Sequence, residues 1–133
     1  MYSFAIELTG NLEKIEQKLI GALKDEGMDI LAKTDIQATL NARSGVEKKP
    51  RKILAAFIPA LTNRTINTKP DIGFIFPCNV AMHLEKDSVI RIAFMIPNVI
   101  LNLAKRDDIF ELSREVCARL LRVRQLMVGT INI

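Results

Sequence analysis

The chain has 133 residues, 49% hydrophobic and 26% charged, and carries a net charge of +4. That length fits one domain, and a chain of this size buries roughly two-thirds of its unfolded surface, so folding needs no disulfide or metal. A near-average composition excludes a disordered chain, and the lack of any apolar run of ~20 residues excludes a helical membrane span.

Tyr2, Phe4, Ile6 and Leu8 alternate with Ser3, Ala5 and Glu7, the period-2 pattern of a strand with one face in a core. Thr9-Gly10-Asn11 turns the chain, and Asn11 is suited to cap a helix by accepting a bond from an early N–H. Leu12, Ile15, Leu19 and Leu23 then recur at helical spacing, and Gly27 ends the helix. From residue 29 to about 40, Ile30, Ala32, Thr34, Ile36, Ala38 and Leu40 alternate with polar residues, which predicts one long half-exposed strand.

Residues 43–52 are polar and basic, with Gly45 and Pro50, and read as a loop. A short apolar strand over 52–58 follows, and Pro59 fits the first position of a short helix running towards Thr68. Residues 72–84 predict a fourth strand, with Pro77 at an edge or bulge because proline cannot donate to a ladder. Residues 85–88 have the polarity of a hairpin turn, and residues 89–96 return as the fifth strand. Asp108 with Glu111 three residues on matches an acidic capping box. Ile109, Leu112, Val116, Leu120, Val123 and Met127 then share one helical face, widened by Phe110, Cys117 and Leu121. The expected fold is a single α+β domain over residues 1–133. It is a two-layer sandwich with a five-stranded, mainly antiparallel sheet in the order β-α-β-β-β-β-α. Two long helices cover one face, and a short helix lies between strands three and four.

Four strings stand in this order: Ala22-Leu23-Lys24-Asp25-Glu26-Gly27, Thr34-Asp35-Ile36-Gln37-Ala38-Thr39-Leu40, Lys52-Ile53-Leu54 and Ile72-Gly73-Phe74-Ile75-Phe76-Pro77-Cys78-Asn79-Val80. With the order of elements, they resemble the prokaryotic family called domain of unknown function 302, from Tyr2 to the last helix. The resemblance implies a two-layer α+β fold and a tendency to form homodimers, and it implies no activity. Family members commonly carry a Cys-Asn-Pro string before the short helix, where this chain has Phe57-Ile58-Pro59. A dithiol or two-cysteine metal site is correspondingly weaker here.

Pro77-Cys78-Asn79 is the best candidate for chemistry. A cysteine beside a ladder-breaking proline, with a cation near, becomes a nucleophile or soft-metal ligand. The simpler and favoured reading is a cysteine packed as a small hydrophobe. His83 lies five positions beyond Cys78, which puts the two on opposite faces of a strand and argues against a direct pair. His83 is the one histidine and Cys117 the one other cysteine, so no metal or other cofactor is expected within a subunit.

Lys48, Lys49, Arg51 and Lys52 form a basic cluster, and Arg114, Arg119, Arg122 and Arg124 add charge to the last helix. Aromatics are only 5% and tryptophan is absent, so stacking platforms are scarce and nucleic acid is not the expected partner. Met1-Tyr2-Ser3-Phe4 opens no export signal, which makes the cytoplasm the expected location. Nothing in the acidic residues, phosphate-loop or nucleophile patterns argues for an enzyme. The expected function is a non-enzymatic homodimeric module holding a small ligand or a protein, with Pro77, Cys78, Asn79 and His83 as its candidate residues. The alternative is thiol- or metal-dependent sulfur or redox chemistry at Cys78, and a weaker one is nucleic-acid binding through residues 48–52.

Overall fold

In the computed structural model, which describes residues 3–39, 50–59, 78–95 and 107–131, the alternating opening forms strand β1 (Ser3–Thr9). Helix α1 (Leu12–Asp25) follows, and Asn11 Oδ1 accepts the Lys14 N–H at 3.1 Å. Gly27, at φ +74°, ends it. Its N–H donates to the Lys24 carbonyl and the Met28 N–H reaches back to Leu23, both at 2.9 Å. This double closure satisfies carbonyls that the helix itself leaves unpaired, and it drives Met28 into the core beside Leu23.

The remaining elements are β2 (Asp29–Asp35), β3 (Arg51–Phe57), β4 (Cys78–Lys86), β5 (Val89–Met95) and α2 (Asp107–Ile131). The strands form one antiparallel sheet in the order β1-β5-β4-β3-β2. Since β1 and β2 are its two edges, α1 must cross the whole sheet to connect them. The apolar stripe on α1 is thereby laid over the inward residues of the strands.

Those inward residues are Phe4 and Leu8, Leu54 and Ala56, Cys78, Val80 and Met82, and Ile90, Ile92 and Phe94, all buried. Leu12, Ile15, Leu19 and Leu23 meet them from α1, with Val116, Leu120, Val123 and Met127 from α2. Each large side chain fully buried in this way contributes about 1.5–3 kcal/mol. Phe4 stacks on Phe94 with centroids 4.8 Å apart, and the Arg124 guanidinium sits 5.2 Å above the Phe4 ring. The two helices are also tied directly. Arg119 on α2 donates to the Glu26 carbonyl at 2.5 Å and to Glu115 at 2.9 Å, while Arg122 reaches the Glu26 carboxylate at 2.6 Å.

Four expectations need correction or relocation. The long strand over 29–40 stops at Asp35, because Asp35 Oδ1 accepts the Ala38 N–H at 3.0 Å and caps a helical turn beginning at Ile36. An aspartate cap competes with strand alternation, and here it wins. The hairpin turn is tighter than 85–88. β4 runs to Lys86, and only Asp87 and Ser88 (φ 47° and 66°) connect it to β5, the two-residue loop whose twist suits a hairpin. Arg51 belongs to β3, not to the preceding loop. Asp108 is the second residue of α2 rather than its cap. Pro77, Lys48, Lys49, the residues of the fourth strand before Cys78, and the short helix beyond Pro59 lie outside the described residues.

Candidate functional site

Register decides where each candidate side chain sits. Cys78 lies opposite Ala56 on β3, and both point to the helices, with Cys78 only 3% exposed. Burial among apolar neighbours pushes its thiol up from 9.0 to about 12, because the thiolate loses hydration there without gaining a compensating cation. At neutral pH the sulfur is therefore protonated and enclosed.

Asn79 follows on the opposite face, exposed and across from Ala55. His83 shares that outer face, half-buried, with Nε2 3.6 Å from Glu85 Oε1. The structure thus separates Cys78 from Asn79 and His83 by the thickness of the sheet. Phe57, where the resemblance expects a second cysteine, follows Ala56 and so turns to the face away from the Cys78 side chain. The free thiols Cys78 and Cys117 are both on the core side. Among the described residues no group of three or more His, Cys, Asp and Glu is placed to hold a metal.

The outer face brings together residues that the sequence reading did not connect. Ala5, Ala93 and Ala81 stand in one cross-strand row, continued by Ile53. Beside it runs a charged row, Glu7, Arg91, His83 and Arg51. Arg91 donates to Glu7 at 3.4 Å, and His83 stands between Arg91 and Arg51 as direct cross-strand neighbours. No described helix covers this face. The signal in the sequence was the even spacing of small residues opposite each apolar position, and it needed the strand order before it could be read as a surface.

The basic cluster is divided by the same alternation. Arg51 points outward, whereas Lys52 points under α1 and lies 3.4 Å from the buried Glu16 carboxylate. Of the helix arginines, Arg119, Arg122 and Arg124 are engaged by Glu115, Glu26 and Phe4. Among the described residues no helix is long and apolar enough to cross a membrane.

Comparison with known proteins agrees with this architecture. The structure is similar to the crystal structure of an uncharacterized conserved DUF302 protein from Bacillus stearothermophilus, with a TM-score of 0.84 over 96% of this chain and 98% of that one, at 18% sequence identity. None of the curated proteins matches the chain. The family model for the domain of unknown function DUF302 matches residues 4–126, and with nearly the whole domain so covered, the chain belongs to the DUF302 family.

Proposed function

We propose that this domain is a non-enzymatic binding module that works as a homodimer, with the outer face of the sheet as its self-association surface. The observation that carries the reading is the row of Ala5, Ala93 and Ala81, covered by no described helix, beside the row Glu7, Arg91, His83 and Arg51. Small residues let a second sheet approach closely, and the charged row carries both signs. A two-fold along the strands between β5 and β4 sets Glu7 of one copy against Arg51 of the other.

The four strands that overlap about this axis, ~4.8 Å apart and with about seven paired residues each at ~3.3 Å, make a face of about 440 Å². Two such faces bury about 900 Å², the range of weak, transient interfaces, so a dimer of micromolar strength or weaker is expected. A cytoplasmic setting goes with the proposal, since it would keep Cys78 and Cys117 as free thiols. The enclosed, protonated Cys78 supports a packing role over redox chemistry.

Sedimentation velocity across a dilution series tests the dimer, with Ala93→Glu as the probe. Wild-type protein should dissociate in the micromolar range or above it. The variant should dissociate at least roughly a hundredfold more readily, because an unpaired charge in a closed interface costs several kcal/mol. A strictly monomeric wild type, or a variant that dimerises equally well, overturns the reading.

A further inference from the structure

A second surface lies along the β2 edge of the sheet. A groove of about 380 Å³ runs between α1 and the β2 edge, lined by Ile20, Lys24, Asp29, Ile30, Leu31, Lys33 and Phe57. Its volume falls within the ~300–1,000 Å³ usual for small-molecule sites.

Three features build it. Ile20 and Lys24 are one helical turn apart on α1 and face the strand together. Ile30 and Lys33 lie opposite the buried Ala56 and Leu54, so both project to the helix side of the sheet. Between them the register slips at Leu31, and the bulge leaves that leucine 60% exposed at the groove. Bulges re-aim side chains at edges and beside binding sites. A lysine on an edge strand has a simpler use in blocking strand addition, and a lysine in the last turn of a helix suits its dipole. Neither use accounts for both lysines converging on one apolar floor, and neither lysine has an ion-pair partner among the described residues.

We propose that this groove binds a small carboxylate with an apolar body. The body lies on Ile20, Ile30 and Leu31, and the carboxylate lies between the ammonium groups of Lys24 and Lys33. The charge selects the class. Lys24 and Lys33 offer positive charge beside an apolar floor, which matches an anionic head on an apolar body, while Asp29 pairs with Phe57 and so turns to the other face of the sheet. The inference deepens the binding-module reading by naming a ligand class, and it stands apart from the dimer surface on the outer face.

The test titrates 3-phenylpropionate and hexanoate into ¹⁵N-labelled protein, with 3-phenylpropylamine as a cation of matched body. The acids should give saturable amide shifts at Lys24, Ile30, Leu31 and Lys33, and the amine should not. Lys33 is exposed, so Lys33→Glu should leave the fold intact and weaken the acids by about tenfold or more, while Lys33→Arg retains binding. Shifts elsewhere, no shifts at millimolar acid, equal binding of the amine, or an unchanged affinity in Lys33→Glu overturns the proposal. Sedimentation of the same samples keeps the two readings distinct. A monomer that binds acids here removes only the dimer, and a dimer that does not removes only the groove.

Discussion

Replacing Gly27 by alanine perturbs the joint between the two helices. At φ +74° a Cβ is strained, and one built there comes within 2.7 Å of Arg119 Nη1. The left-handed conformation costs an L-residue roughly 1–2 kcal/mol. Displacing the guanidinium also weakens its bond to the Glu26 carbonyl, and a bond from a charged donor is worth about 1.5–3 kcal/mol net. Gly27→Ala should therefore destabilise the fold by about 2–4 kcal/mol. Urea unfolding followed by far-ultraviolet circular dichroism, at fixed protein concentration, measures this. Repeating it in an Arg119→Met background separates the two contributions. There the guanidinium is already gone, and Gly27→Ala should cost only the ~1–2 kcal/mol of backbone strain. Equal costs in both backgrounds, within about 0.5 kcal/mol, would refute the claim that Arg119 and Gly27 are coupled.

Native Cys78 should resist a thiol reagent at pH 8 and react once the chain is unfolded; rapid native modification traced to Cys78 by peptide mapping would contradict its burial. Its raised pKa also sets a pH dependence. Between pH 9 and about 12 the unfolded thiol has lost its proton and the folded one has kept it. The thiol's contribution to stability is complete below that window and falls by ~1.4 kcal/mol per pH unit through it. Stability against pH should fall less steeply in Cys78→Ala than in wild type over this range, as urea titrations at each pH would show. Removing Lys52 strands the Glu16 carboxylate under α1, so Lys52→Met should cost about 1–3 kcal/mol. Glu16→Leu combined with Lys52→Met should restore most of the loss, and a double variant no better than the single one would show that the charge was not the cause.

Much of the fold was legible because its determinants are local. The Asn11 cap, the Gly27 stop and the stripe of Leu12, Ile15, Leu19 and Leu23 need only neighbours in sequence, and all take the expected roles. Residues 36–39 were misread for an equally local reason. Ile36 and Ala38 continue the alternation, but Asp35 offers its side chain to the Ala38 N–H and turns the chain into helix. Of the candidate residues, Cys78 and His83 could be assigned to opposite faces from alternation alone. Which face was the core could not, since that depends on where the helices lie.

The sequence by itself determined the order of the five strands and two long helices, the inward stripes and the separation of Cys78 from His83, because periods of two and of 3.6 residues are properties of a single segment. Tertiary structure alone decided which residues became neighbours across strands. The order β1-β5-β4-β3-β2 placed Arg51, His83 and Arg91 side by side and left β2 at an edge. It also set Lys24 and Lys33, nine residues apart, around one groove. The physical reason is that strand pairing is chosen by burial of the whole apolar face, and that sum is spread over the entire chain.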